Sequence, residues 1–116
     1  MNIMESGNIV MTNESFFQKT LMIFGGAGSL GHSLVNKYLP LCKNIFVVSR
    51  DEAKHWELHN QFNYLFPEHK SKLITIIGDV REKNRIKELI NRYAPENIII
   101  AQALKQVDLC EMYPEE

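Results

Sequence analysis

Leu21-Met22-Ile23-Phe24-Gly25-Gly26-Ala27-Gly28-Ser29-Leu30-Gly31 is the stretch that decides the fold. Four apolar residues in a row suit a strand buried on both faces of a parallel sheet. Glycines break the run, and Leu30, Leu34, Val35 and Tyr38 then recur at helical spacing until Pro40 stops the pattern. Strand, glycine turn and helix follow one another without a gap.

The alternation continues outward from there. Ile45-Phe46-Val47-Val48 reads as a second strand, and Ser49-Arg50-Asp51-Glu52 after it fits a capping box, with Ser49 as N-cap and Glu52 three residues on. The helix that follows carries Leu58, Phe62, Leu65 and Phe66 on one face and ends at Pro67. Leu73-Ile74-Thr75-Ile76-Ile77 is a third strand, closed by Gly78-Asp79. Ile86, Leu89, Ile90 and Tyr93 mark a third helix, which Pro95 ends. Ile98-Ile99-Ile100-Ala101 is a fourth strand, with a further helix starting around residues 104–111. The predicted fold class is α/β: a parallel sheet with helices on both faces, truncated after about four strands.

The chain has 116 residues, 45% hydrophobic and 23% charged, which suits one ordinary globular domain. At this size about two thirds of the unfolded surface can be buried. Residues 1–19 show no sustained periodicity and read as a flexible N-terminal arm; residues 20–116 form the domain. Thirteen Lys and Arg against fourteen Asp and Glu leave a net charge of -1, so no broad electrostatic pull toward nucleic acid or an anionic membrane is expected. Cys42 and Cys110 have no metal-ligand spacing and are expected as free thiols in a reducing cytoplasm. The polar first twenty residues lack the pattern of a secretory signal. The apolar runs fall far short of the roughly 18–20 residues that span a bilayer, so a soluble chain without a membrane is expected.

The glycines carry the first chemistry. A pyrophosphate must come close to the backbone, so side chains are missing at Gly25 and Gly28, and Gly31 lets the helix pack against the strand. The helix N-terminus offers unpaired N–H groups and about half a positive charge to the phosphates. No Gly-Lys-Ser/Thr follows, which argues against a nucleoside-triphosphate loop. The spacing G-x-x-G-x-x-G resembles the cofactor turn of the extended short-chain dehydrogenase/reductase superfamily, a Rossmann-like fold.

At the end of the second strand an acidic residue would hold the ribose hydroxyl of NAD. Ser49 and Arg50 stand there instead. A hydroxyl and a guanidinium suit the 2′-phosphate of NADP, because Arg makes charge-assisted, often bidentate bonds to phosphate. Asp51 and Glu52 beside them would alternatively cap the helix. After the third strand, Asp79 and the N–H next to it would bond the adenine, and Asp79 with Glu82 would equally cap the third helix; both can hold at once.

Four segments together carry a narrower resemblance: residues 25–31, the Ser-Arg-Asp-Glu-Ala-Lys-His of 49–55, the Ile-Gly-Asp-Val-Arg of 77–81 and the Ala-Leu-Lys-Gln-Val-Asp-Leu-Cys-Glu of 103–111. From about residue 20 onward the chain resembles the UDP-N-acetylglucosamine 4,6-dehydratases of polysaccharide biosynthesis. The resemblance implies that Ala27, Gly28, Ser29 and Leu30 line the pyrophosphate turn. Ser49, Arg50, Asp51, Glu52 and Lys54 would take the 2′-phosphate and adenosine, Asp79 and Val80 the adenine. Ala101 would lie under the cofactor, and Lys105 would face a UDP-sugar substrate. Gln102 and Asp108 depart from the family pattern, which has a small residue and a Pro there.

In that family NADP takes a hydride from sugar C4, water leaves across C5 and C6, and the hydride returns to C6. The acid–base work uses a Tyr with a Lys four residues later. Cys42, Glu68 and Asn97 stand four residues after Tyr38, Tyr64 and Tyr93, and no residue stands at that offset from Tyr113. No catalytic residue is therefore assigned. The expectation is the NADP-binding portion of a nucleotide-sugar 4,6-dehydratase, needing its missing half for a UDP-sugar. The alternative is a non-catalytic nucleotide-binding half-domain or a truncated remnant that works only with another chain.

Other residues read as structural. His55 and His59, four apart, are expected as solvated helix histidines with no metal, and Trp56 as packing. Arg81, Lys83, Arg85 and Lys87 among Glu82 and Glu88 suit a solvated helix face. A sheet ending at residues 98–101 would expose an apolar edge and favour a homo-oligomer.

Overall fold

Successive residues of Ile45-Phe46-Val47-Val48 go to opposite sides of a sheet. Ile45 and Val47 enter one core cluster, Phe46 and Val48 another. Leu21 and Ile23 against Met22 and Phe24, and Ile99 against Ile98 and Ile100, divide in the same way. This is the period-two geometry of a strand with both faces covered, which is why these runs are apolar throughout.

The computed structural model describes residues 2–5, 16–25 and 27–101. Strands β1 (Asn2–Glu5), β2 (Thr20–Phe24), β3 (Asn44–Ser49), β4 (Leu73–Ile77) and β5 (Asn97–Ile100) form one sheet in the order β1-β5-β2-β3-β4. Every pairing is parallel. Helices α1 (Ser29–Tyr38) and α2 (Glu52–Leu65) cover one face through Leu34, Val35, Tyr38, Leu58 and Phe62. Helix α3 (Lys83–Tyr93) covers the other through Ile86 and Leu89, and a 3₁₀ segment, Pro67–Lys72, leads into β4. The expected class, a Rossmann-like parallel sheet with helices on both faces, is the one observed.

Connectivity fixes where a ligand can lie. From β2 the chain steps outward to β3 and β4, then returns across β2 to β5. The direction of winding reverses between β2 and β5, and a crevice opens outside the carboxyl ends of strands at such a switch point. Here those ends lie level: Phe24 pairs with Val48 on one side and Ile100 on the other, and Ser49 pairs with Ile77. The turns leaving them are tied together, Gly25 N donating to Val48 O, Gly78 N to Ser49 O, and Ala101 N to Phe24 O.

Three expectations change. Part of the arm at residues 1–19 belongs to the fold: Asn2–Glu5 is a strand, and Phe16 is fully buried with its ring centroid 4.2 Å from that of Tyr38. The strand at Asn97–Ile100 is not at an edge, because β1 lies along it with Asn2 beside Asn97 and Glu5 beside Ile100. The edge-exposure argument for self-association through 98–101 therefore has no footing. Finally, α2 is capped by Asp51, whose carboxylate accepts from Lys54 N at 3.1 Å; Ser49 lies before the helix and is not its N-cap.

Candidate functional site

The glycine turn shows two different needs for glycine. Gly25 has φ 77, a left-handed backbone that side chains resist, so the turn itself requires it. Gly28 has φ -86, ordinary for any residue, and a Cβ built on it would meet nothing within 4 Å. The fold therefore does not need Gly28; the space beside its backbone is open. Gly31 is buried in α1.

Gly28 is also the N-cap of α1. Among the described residues no side chain caps this helix, and its first turn holds no acidic residue. Its amides are therefore left to an acceptor from outside, with the positive end of the dipole behind them. Ala27, Gly28 and Ser29 line a cavity of about 390 Å³ together with His32 of α1 and Lys54 and Glu57 of α2. His32 Nδ1 and Gln61 Oε1 hydrogen-bond across the two helices that form its walls. The cavity brings residues 27–29 and Lys54 together, and adds His32 and Glu57, which the sequence did not single out for the site. Only the helical offsets of 32 from 28 and of 57 from 54 could have pointed to them. Leu30, part of the helical apolar pattern and expected at the pyrophosphate turn, is 43% exposed.

A second group forms where β3 and β4 end. Asp79, its side chain 16% exposed, lies between two arginines. Arg81 donates to it from Nε at 3.1 Å and Nη2 at 2.8 Å and also through its backbone N–H at 2.9 Å. Arg50 Nη1 stands 3.7 Å from the same carboxylate. The Arg81 hydrogen bonds, with both nearby positive charges, hold the Asp79 carboxyl down to about 2, so it is ionised at every ordinary pH. Arg81 is solvent-exposed, as expected, but it lies before α3 and is paired with Asp79. The expected capping of α3 by Asp79 is not realised: Glu82 is that N-cap, and no side chain caps it. Val80 is buried beside Asp79 in the α3-side core.

Ser49, at the end of β3, meets a buried histidine. Its Oγ lies 2.7 Å from Nε2 of His55, which is 5% exposed. His59 Nε2 lies 3.0 Å from Thr75 Oγ1 on β4. The expectation of solvated histidines fails for this pair, since α2 turns both toward the sheet. Burial lowers the pKa of each, with His59 lowering that of His55 further and the Asp51 and Glu52 carboxylates opposing. Trp56, expected to pack, is instead 69% exposed. Cys42 is buried, and burial pushes its thiol up to about 12, which leaves it unreactive.

Ala101 follows β5 at the switch point, half-buried against the core. Of the remaining expected residues, Glu52 opens α2 and is exposed, and Lys105, Gln102, Asp108 and Cys110 lie outside the described residues. No group of three or more His, Cys, Asp or Glu converges among the described residues. No helix among them is long and apolar enough to cross a membrane.

Comparison with known proteins adds the following. Residues 21–116 match the family model described as polysaccharide biosynthesis protein. A protein of Rickettsia massiliae (strain Mtu5) named UDP-glucose 4-epimerase is 39% identical over 106 residues, which cover 87% of this chain and 29% of that protein. The chain thus spans less than a third of the length of the curated relatives it matches. Pen from Bacillus thuringiensis superimposes with a TM-score of 0.60 at 26% identity, covering 86% of this chain and 29% of that one. WbmG of Bordetella bronchiseptica, solved in complex with NAD and UDP, shares the fold with a TM-score of 0.57 at 22% identity, covering 75% of this chain and 26% of that one.

Proposed function

The chain belongs to the polysaccharide biosynthesis protein family, within the extended short-chain dehydrogenases/reductases, and from that premise we propose that it is the NADP-binding portion of a nucleotide-sugar-modifying enzyme. One observation carries the reading: the cavity that joins the open backbone at Gly28 and the uncapped start of α1 to Lys54.

A dinucleotide fits these residues. The pyrophosphate would take the amides at Gly28, Ser29 and Leu30, where a missing Cβ leaves room for it. The adenosine end would lie across the ends of β3 and β4, with Asp79 accepting from the adenine amino group, Val80 beneath the ring and Ala101 flanking the switch point. Ser49, Arg50 and Lys54 would hold the 2′-phosphate, while Asp51 is engaged as the α2 cap and Glu52 stands at the same helix start. When bound, the nicotinamide supplies a hydride acceptor for oxidation at a sugar carbon. This chain's part is to orient that ring; it contains no Tyr-x-x-x-Lys to take the hydroxyl proton.

The substrate in this proposal is UDP-N-acetylglucosamine or a similar UDP-sugar, oxidised at C4, and the reaction a 4,6-dehydration. A second reading, epimerisation at C4, is favoured by the name of the Rickettsia relative and begins with the same oxidation. The setting proposed is cytoplasmic. Isothermal titration of the purified chain tests the cofactor reading: NADP binds, and more tightly than NAD. Binding of neither would overturn it.

A further inference from the structure

His55 has a buried polar contact that neither packing nor capping of α2 requires. Ser49 is the last residue of β3, and the imidazole of His55 reaches back from the first turn of α2 to place Nε2 2.7 Å from its hydroxyl. We propose that His55 is a positioning residue that turns the Ser49 hydroxyl into a hydrogen-bond donor for the 2′-phosphate of the dinucleotide. This rests on the cofactor reading above.

The reasoning is a count of protons. A neutral imidazole carries one N–H. If that hydrogen is on Nδ1, Nε2 is an acceptor, Ser49 must donate to it, and the serine oxygen offers only lone pairs outward, which repel a phosphate. If the hydrogen is on Nε2, the histidine donates to Ser49 Oγ. The serine O–H is then free to turn outward and donate to an anion. Ser49 becomes a phosphate ligand only with the second tautomer, and His55 alone among the described residues makes a side-chain bond to that hydroxyl. A dianion at the end of β3 therefore selects the Nε2–H form. NAD, with a hydroxyl in place of the phosphate, accepts as well as donates and can meet Ser49 in either state. Burial disfavours a charged His55, so the choice is between neutral tautomers.

His55→Met fills a similar volume without a donor; His55→Gln places an amide N–H near the position of Nε2. His55→Met is expected to weaken NADP about tenfold, as for one hydrogen bond to a charged group, and to leave NAD within about twofold. His55→Gln should recover most of the NADP affinity. Nitrogen-15 chemical shifts of the His55 ring should report Nε2–H in the NADP complex. Equal losses of NADP and NAD in His55→Met, no recovery in His55→Gln, or an Nδ1–H ring in the NADP complex would each overturn the role of His55 while leaving the cofactor reading intact. If the unaltered chain bound neither dinucleotide, both would fall together.

Discussion

Arg81 closes on Asp79 at two points, Nη2 2.8 Å from Oδ2 and Nε 3.1 Å from Oδ1, while Arg50 approaches the same carboxylate at 3.7 Å. One negative charge is thus shared by two guanidiniums. Arg81 has the tighter, planar grip, and the more distant and exposed Arg50 is the one that can leave for a ligand phosphate at small cost.

The two residues beside Arg81 should therefore separate by cofactor. Arg50→Ala is expected to weaken NADP about tenfold and leave NAD within about twofold, because only NADP carries the 2′-phosphate. Asp79→Asn should weaken both by a similar factor, since adenine is common to them. Titration calorimetry of both variants with both nucleotides decides this; equal losses of NADP and NAD in Arg50→Ala would refute its phosphate role.

Gly28→Ala should uncouple folding from binding. The new methyl meets nothing within 4 Å and the backbone angles suit alanine, so the melting temperature should hold or rise slightly. Dinucleotide binding should fall by an order of magnitude or more. Gly25→Ala, forced to φ 77, should instead cost roughly 1–2 kcal/mol of stability. Loss of stability in Gly28→Ala would show that the open space serves the fold.

Acid should destabilise the chain in two stages. Histidines in the unfolded chain take protons at about the ordinary 6.5, but His55 and His59 resist protonation when folded. The stability tied to their neutral forms is complete above 6.5 and drains away as pH falls below it. Asp79, ordinarily 3.8 but held to about 2, adds stability that is present above 3.8 and is lost as pH falls through about 2. Urea midpoints followed from neutral pH downward should drop first below 6.5. A flat midpoint across that first stage would contradict the buried environment of the histidines.

The 116-residue chain incubated with UDP-N-acetylglucosamine and NADP should give no 4-keto sugar by mass spectrometry. With no Tyr-x-x-x-Lys, nothing in it is assigned to the sugar hydroxyl proton. Turnover would mean that another residue, outside those named, performs the proton transfer.

The four strands from Thr20 onward were legible: β2, β3 and β5 are each buried on both faces, and burial writes itself as an unbroken apolar run; β4, at the sheet edge with Ile77 exposed, carries a similar run. Asn2–Glu5 was not, since an edge strand of four residues needs only one covered face and its partner, Asn97–Ile100, is remote in sequence. The glycine turn announced the cavity, but His32 and Glu57 reached it only through the approach of α1 to α2. His55 was misread because a histidine on a charged helix looks solvated until the hydroxyl of Ser49 is found against it. Arg81 was hidden similarly. Its neighbours in sequence are charges, and the Asx turn that folds Asp79 back onto it is a matter of geometry.

The seating of β1 also dictates an order of assembly. Its place beside β5 does not exist until residues 97–100 have been made and have docked against β2. Strands β2, β3 and β4, with α1 and α2, are neighbours in sequence and can collapse while the chain is still emerging from the ribosome. Among the described strands, β1 is thus translated before the others and paired after them. Residues 2–5 must wait, through the synthesis of the intervening strands and helices, for the edge along which they pair.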